Sequence, residues 1–200
     1  MASENALGLS LFNPLNLSPD QKDQAKRNLD IVAGESWSDN ALLDITGRLG
    51  NVDFPVPSGV RAAEMYFSGV QQTNSDLRGI QLLTRDGTGA LVSTATYNCT
   101  TSDMSGTKAG SVGTTGYLTV TALTYGAYLT WGKVRFDFVS AGLWVVSGTL
   151  AHISGATHAL IIVEGAVAIS GELAALRLYS TGAKSDPTAY AAGSVAVNWC

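Results

Sequence analysis

The feature that most constrains the fold is a two-residue alternation of apolar and polar side chains, which begins near Arg61 and continues to the last residues. It is clearest in GKVRFDFV (132–139), where Val134, Phe136 and Phe138 occupy every second position. The lysine, arginine and aspartate between them fall on the other side. Successive side chains of a strand point to opposite faces of a sheet, so the pattern indicates a strand with one buried and one solvated face.

The alternation recurs in segments bounded by turn residues. The nine segments are AEMYFSGV (63–70), GIQLLTRD (79–86), ALVSTATY (90–97), GYLTVTAL (116–123), GKVRFDFV (132–139), LWVVSGTLAHI (143–153), HALIIVEGAVAI (158–169), GELAALRLYS (171–180) and GSVAVNW (193–199). DGTG (86–89) predicts a hairpin between the second and third, and the polar stretch 101–113 is predicted to be a loop. Many short strands without an intervening helical period predict a mainly β fold, an antiparallel β-sandwich of jelly-roll type.

Two segments give a prediction about burial. ALIIV (159–163) is apolar at every position, which indicates a strand covered on both faces. In GLWVVSGT, Trp144 alternates with Val146 and is predicted to be structural, on the face opposite Val145.

The region before the strands contains one helical signal, LSPDQKDQAKRNLDI (17–31). Ser18 is placed as an N-cap, with a proline at the first helical position and a glutamine three residues after the cap. Ala25 and Leu29 form a narrow apolar stripe at i and i+4. A helix this short is marginal alone, so we expect these two residues to contact partner copies of the same helix.

Four regions follow from these patterns. Residues 1–16 lack periodicity and are expected to form an extended anchor peptide, residues 17–31 the helix, residues 32–60 a connector broken by glycine and proline, and residues 61–200 the β-sandwich domain.

Composition excludes several classes of function. Charged residues make up 14% of the chain and the net charge is −4, so binding of nucleic acid is not expected. Such a low charged fraction favours burial of surface against other chains. The longest apolar run is too short to span a membrane, and the first residues lack a basic, apolar signal pattern. Two cysteines, Cys99 and Cys200, form no disulfide framework and indicate synthesis in a reducing cytoplasm.

The helical segment resembles a motif of bacteriophage tail-fibre and related virion fibre proteins, of the form L-[ST]-x-x-Q-x-x-Q-A-R-x-N-I-G. The matching residues are Leu17, Ser18, Gln21, Gln24, Ala25 and Asn28. Lys26, Leu29 and Asp30 depart from it. The second half is similar to the β-sandwich tip or body domain of the same fibres, through DFPVPSGVRA followed by AEMYFSGV, the central GLWVVSGT and the final TAYAAGSVAVNW.

The resemblance implies a homotrimer displayed on a phage particle and made in the cytoplasm of the bacterial host. Residues 1–16 would then attach the trimer to capsid or tail proteins of the virion. Three copies of the helix would pack near the trimer axis and set the register of the β domain.

No motif indicates an enzyme, a metal site or a cofactor. The two histidines, His152 and His158, flank a turn and have no cysteine pair nearby, and Ser147 lacks the G-x-S-x-G context of a nucleophile. The carboxylates Asp137, Glu164 and Glu172 are the candidates for glycoside hydrolysis, which needs two of them about 5–10 Å apart in a groove. Solvated or turn positions are the favoured interpretation of these carboxylates.

Aromatic residues suggest one binding site. TALTYGAYLTWG (121–132) is rich in tyrosine and glycine, and Tyr125, Tyr128 and Trp131 could stack on a bacterial surface glycan. The alternative is packing in the core or between subunits.

Three functions follow in order of preference. The first is a non-enzymatic fibre or decoration protein, with a head fibre favoured because only residues 1–16 precede the helix. The second is a tail-fibre adhesin that binds a host glycan, and the third is a depolymerase.

Overall fold

A computed structural model describes residues 37–72, 78–103, 108–112, 116–120, 128–154, 157–180 and 190–200. These residues contain thirteen β-strands and no helix. The anchor peptide predicted over 1–16 and the helix predicted over 17–31, with Ala25 and Leu29, lie outside the described residues.

The strands, in chain order, are β1 (Leu43–Asp44), β2 (Val52–Pro55), β3 (Ala62–Gln72), β4 (Arg78–Arg85), β5 (Leu91–Val92), β6 (Thr96–Asp103), β7 (Lys108–Val112), β8 (Leu118–Thr119), β9 (Leu129–Ser140), β10 (Leu143–Ser154), β11 (Thr157–Ala168), β12 (Ala175–Ser180) and β13 (Tyr190–Trp199). All described strand pairs are antiparallel. The predicted class, mainly β and antiparallel, is therefore confirmed.

Hydrogen bonding joins the strands into two sheets. The large sheet has the order β1-β13-β3-β9-β10-β11-β6-β7. The small sheet has the order β2-β12-β4-β5, and β8 also pairs with β4. The three longest strands, β9, β10 and β11, are neighbours at the centre of the large sheet.

The hairpin predicted at DGTG is confirmed. Asp86 closes it, because its Oδ1 accepts hydrogen bonds from the backbone N–H of Thr88 at 2.8 Å and of Ala90 at 3.0 Å. The single strand predicted for 90–97 is wrong in its middle. Residues 91–92 pair with β4 in the small sheet, whereas residues from Thr96 onward pair with β11 in the large sheet. The chain therefore passes from one sheet to the other over residues 93–95.

The polar loop predicted for residues 101–113 is also wrong. β6 continues to Asp103, and residues 108–112 form β7, which pairs only with β6 at the edge of the large sheet. An edge strand needs no apolar face on its free side, so a polar sequence can occupy it.

The core lies on the inner face of the large sheet and includes side chains of both sheets. Met65 and Phe136 come from the large sheet, and Leu82 and Leu176 from the small one. The Tyr97 hydroxyl of β6 accepts a hydrogen bond from the Leu82 backbone N–H at 2.7 Å. Burying a hydrogen-bonded tyrosine between sheets adds apolar area without leaving its polar atom unsatisfied.

Trp144 belongs to this core, as predicted. It is 2% exposed, and its ring meets Phe138 edge-on at 5.5 Å. Val146 is buried beside it, while Val145 between them is 44% exposed.

Part of the predicted connector belongs to the sheets. β1 pairs with β13, and β2 pairs with β12. The Ser38 N–H also donates to the Trp199 carbonyl at 2.9 Å. The folded β body thus includes described residues before position 61.

The prediction that ALIIV is covered on both faces is wrong for the described chain. Ile161 and Val163 are buried, but Leu160 is 39% and Ile162 is 42% exposed. The strand lies in a sheet whose outer face is not covered at these positions, so the second set of apolar side chains meets solvent.

Candidate functional site

The most unusual surface of the described chain is the outer face of β9, β10 and β11. Trp131 is 43% exposed there, with Leu160 and Ile162 nearby on β11. We call this surface the outer apolar patch and define it by Trp131, Ala151, Leu160 and Ile162. Exposed large apolar side chains that are contiguous mark interaction sites in soluble proteins.

The strand register arranges the patch in a row. On β10, Ala151 pairs with Trp131 of β9 on one side and with Leu160 of β11 on the other. Thr149 lies one row along, between Lys133 and Ile162. The middle strand therefore contributes small side chains and its neighbours contribute larger ones.

The next row is charged at its two ends. Ser147 of β10 pairs with Arg135 of β9 and with Glu164 of β11. Cationic side chains thus lie on the β9 side of the face and a carboxylate lies on the β11 side.

A glycine on β3 allows Trp131 to lie flat against the sheet. Gly69 has φ of +65°, and a Cβ added to it would come within 3.1 Å of the Trp131 ring. The same segment contains an irregularity in the pairing of β3 with β9, between Phe67 and Val70. A side chain here would displace the indole, so Gly69 helps to define the edge of the patch.

Beside the patch, on β3, a buried carboxylate organises a polar cluster. Glu64 is 3% exposed, and its Oε1 accepts a hydrogen bond from Lys133 Nζ at 2.9 Å. The Tyr66 hydroxyl donates to the other oxygen of Glu64. Arg135 approaches the carboxylate at 3.6 Å and forms an ion pair with Asp137 at 2.6 Å.

The segment before β1 covers this cluster. Asn40 N–H donates to Asn198 Oδ1 at 3.0 Å, which holds the segment beside β13. From there the Trp37 ring lies over the Arg135 guanidinium of β9 at 4.8 Å. The segment from Asn40 to Trp37 thus reaches from β13 to β9, and β3, where Glu64 lies, is the strand between them.

The hydrogen bonds within the cluster determine the protonation states of Glu64, Tyr66 and Lys133. Burial raises the pKa of Glu64, but the hydrogen bonds from Tyr66 and Lys133 outweigh it, so the pKa lies below its ordinary value. The hydrogen bond to Glu64 raises the pKa of Tyr66 and of Lys133. These shifts stabilise an ionised carboxylate between two protonated partners, whereas a general acid or base works best with a pKa near the working pH. The arrangement is suited to holding strands together.

The predicted receptor-contact residues do not form one group in the described chain. Trp131 lies on the outer face of β9 against Gly69. The Tyr128 ring lies 6.3 Å from the ring of His152, which is 1% exposed. Tyr125 lies outside the described residues.

The three candidate carboxylates occupy separate places. Asp137 on β9 is bonded to Arg135, and Glu164 is exposed two strands away on β11. Glu172 accepts a hydrogen bond from the Gly59 N–H. Among the described residues, these three groups do not converge on a common groove.

The histidines and cysteines are also apart. His152 is buried on β10, while His158 is exposed at the start of β11. Ser147, on the outer face of β10, has neither histidine as its strand neighbour. Burial raises the pKa of the Cys99 thiol to about 11. Within the ranges that the structure describes, no three His, Cys, Asp or Glu side chains group as metal ligands would.

Among the described residues there is no helix with the length and apolarity that a membrane crossing requires.

Comparisons with protein families, with curated proteins and with solved structures find no match to this chain.

Sequence reasoning missed the residues that make this surface distinctive. Glu64 faces Lys133 and Arg135 only because β3 pairs with β9, two strands that are distant in sequence. The one signal in the sequence was the continuous apolar run ALIIV (159–163). A strand of a two-sheet fold has one face in the core, so apolar residues on its other face need a separate contact surface.

Proposed function

We propose that the chain is a non-enzymatic structural protein of a bacteriophage virion, a homotrimeric fibre or decoration protein. In this proposal, a head fibre is favoured and residues 1–16 attach the trimer to the particle. The proposal joins the resemblance of residues 17–31 and of the β segments to virion fibre proteins with the surface described above.

The observation that carries the proposal is the outer apolar patch in a chain with 14% charged residues. Trp131 and Ile162 are each more than two-fifths exposed on the central strands of the large sheet. A protein that functions as a single subunit has little reason to place such residues side by side at the middle of an open face. An assembly of copies would cover them.

The proposal includes the finer architecture, a jelly-roll-like sandwich of the two sheets. The shared core and the Tyr97–Leu82 hydrogen bond between sheets support it. The passage of the chain between sheets over 93–95 is consistent with the crossing connections of such folds.

Sedimentation of the purified protein tests the assembly. We expect a trimer at micromolar concentration, and a stable folded monomer would contradict the proposal. A variant lacking residues 1–16 should fold and trimerise as the full chain does.

Electron microscopy of purified phage particles, labelled with an antibody against the chain, tests the location. We expect label on the head with the full chain and none with the variant lacking residues 1–16. Retention of that variant on particles would show that the attachment lies elsewhere. Label on the tail would favour the adhesin.

The alternative is a tail-fibre adhesin that recognises a bacterial surface glycan. It is favoured by one observation, the exposed indole of Trp131 with Lys133 and Tyr66 close to it on the same face. Trp131→Ala would then abolish binding of the protein to host cells and leave the oligomer unchanged. Under the structural proposal the parent protein does not bind cells, and the same substitution weakens the oligomer.

A further inference from the structure

The outer face of β9–β11 has a size pattern that suits contact between identical copies. In the rows of the patch and in the charged row beside it, the outward-facing residues of the middle strand are Ser147, Thr149 and Ala151, and the bulkier Val145 faces outward one row beyond them. The flanking strands place bulky or charged side chains in the same rows. Small side chains on the central strand leave room for other copies close to it, while the larger side chains on the flanks can meet the flanks of neighbouring copies.

The register gives each row two ends that differ in chemistry. The row of Ala151 has Trp131 at its β9 end and Leu160 at its β11 end, so both ends are apolar. The row of Ser147 has Arg135 at one end and Glu164 at the other, so its ends are opposite in charge.

Rotation about an axis that runs parallel to β10, above the face, keeps every row at its own height. It therefore brings the β9 end of a row in one copy to the β11 end of the same row in the next copy. Trp131 then meets Leu160 of the neighbouring copy, and Arg135 meets Glu164.

We propose that the outer face of β9–β11 is the subunit interface, and that three copies meet there about an axis along β10. The occupant of the outer apolar patch is thus a second copy of this chain. The inference rests on the trimer of the proposed function and adds which surface forms it. Three small side chains of β10 would line the axis, where only small groups allow three strands to approach.

Charge complementarity supports this occupant over an unrelated partner. Lys133 and Arg135 retain exposed side-chain fractions of 50% and 33% while they hold Glu64 and Asp137. Glu164 on the opposite flank would place a carboxylate of the next copy at the same height as Arg135 and one row from Lys133.

Engineered disulfides test the interface directly. In the double variant Trp131→Cys/Leu160→Cys, the two positions of one chain are separated by β10. Two strand spacings of about 4.8 Å place their Cα atoms roughly 9–10 Å apart, beyond the limit of about 7 Å for a disulfide. Any bond between them must therefore join two chains. A Cys200→Ser background removes the partly exposed native thiol, while Cys99 is buried.

After mild oxidation, we expect a covalent trimer on a non-reducing gel, because three chains close a ring of three disulfides. The single variants Trp131→Cys and Leu160→Cys are the controls and should give no covalent trimer. A covalent dimer as the largest product would overturn the three-fold arrangement. If the double variant sediments as a trimer but forms no cross-link, this interface is overturned and the proposed trimer stands, whereas a parent chain that sediments as a monomer would overturn both.

A charge substitution provides a second test that does not depend on oxidation. Ile162→Lys places an ammonium in the patch, and we expect the dissociation constant of the trimer to rise at least ~tenfold. Leu49→Lys is the matched control, since Leu49 is 60% exposed and lies outside the patch. Both variants should keep the far-ultraviolet circular dichroism of the parent. Equal dissociation constants for the two variants would contradict the proposal.

Discussion

The two faces of the same three strands differ in a way that local sequence does not show. On the inner face, Phe136, Trp144 and Ile161 are buried in the core shared by the two sheets. On the outer face, Val145 and Ile162 are more than two-fifths exposed in the same strands. The core to which both sheets contribute accounts for these inner apolar residues. The outer ones have no cover in the described chain, which is why assembly, rather than folding, explains them.

The outer face itself has two parts. Toward β3 and β13, its polar groups are paired within the chain, through Glu64, Lys133 and the covering Trp37. Toward β11, apolar groups dominate. We therefore expect substitutions in the first part to affect folding, and substitutions in the second part to affect association.

The largest expected effect separates the inner from the outer face at neighbouring positions. Trp144→Ala should lower the free energy of unfolding by about 3–5 kcal/mol, because it removes a buried indole and leaves a cavity next to Phe138. Val145→Ala, one residue away on the exposed face, should change the stability of the dissociated subunit by no more than about 0.5 kcal/mol. Urea unfolding at a protein concentration below the dissociation constant of the trimer measures both.

Comparable losses for the two variants would mean that the outer face at Val145 is as deeply buried as the inner face. The inner and outer faces of β9–β11 would then not differ in burial as the proposals require.

A second prediction concerns a close approach between β11 and β6. Gly165 of β11 has φ of +146°, and a Cβ added there would lie 2.5 Å from the Cys99 Cα and would also strike the Asn98 carbonyl oxygen of β6. Gly165→Ala should therefore cost about 2–4 kcal/mol through strain and overpacking. Gly87→Ala is the control, because its Cβ would meet nothing within 4 Å. Thermal unfolding of the two variants gives the comparison, and equal melting temperatures would contradict it.

A third prediction concerns the part of the outer face whose polar side chains are paired within the chain. Glu64→Gln removes the charge that Lys133 and Tyr66 bind, and we expect a loss of about 1.5–3 kcal/mol at pH 7. The dissociation constant of the oligomer should rise less than with Ile162→Lys, because Glu64 itself lies on β3, outside the β9–β11 face. A variant that folds as the parent does but dissociates as readily as Ile162→Lys would place Glu64 in the interface instead.

The same variant has an expected pH dependence. The pKa of Glu64 is lower in the folded chain than in the unfolded one, so its contribution is fully present above the unfolded pKa of about 4.3. It is lost as the pH falls through the folded pKa. The difference in stability between parent and Glu64→Gln should therefore be constant from pH 7 to pH 5 and shrink below about pH 4. A constant difference down to pH 3 would contradict this assignment.

The smallest effect is expected in the small sheet. Arg177 and Asp53 form a bidentate pair between β12 and β2, with 2.9 Å between Arg177 Nη2 and Asp53 Oδ2. Both side chains are partly exposed, so Asp53→Asn should cost no more than about 1 kcal/mol. Urea unfolding in low and in high salt measures this, and the loss should be smaller in high salt. A loss as large as that of Glu64→Gln would show that exposure does not distinguish the two ion pairs.

Alternation was sufficient to predict the long central strands and their buried phase. β9, β10 and β11 carry it over many residues, and Val134, Phe136 and Trp144 are buried as that pattern indicates. Two-residue periodicity determines which side chains share a face, so it is a reliable guide wherever the other face is solvated.

Three features could not be predicted from the two-residue alternation. The segment predicted as one strand over 90–97 changes sheets at residues 93–95, where the local sequence gives no reason for a change of partner strand. β7 is polar because it lies at an edge. The Glu64 cluster depends on the pairing of β3 with β9, and strand register between segments distant in sequence is set by the whole core.

The position of β13 has a consequence for synthesis. This strand lies between β1 and β3, and the Cys200 N–H and carbonyl bond to the Ala62 backbone at its end. Translation therefore delivers β13 after both of its neighbours in the large sheet. Until residues 190–199 leave the ribosome, β3 has an open edge that can pair with other chains. A product that ends before β13 would keep that edge, so completion of the sheet separates chains that contain β13 from chains that lack it before any assembly begins.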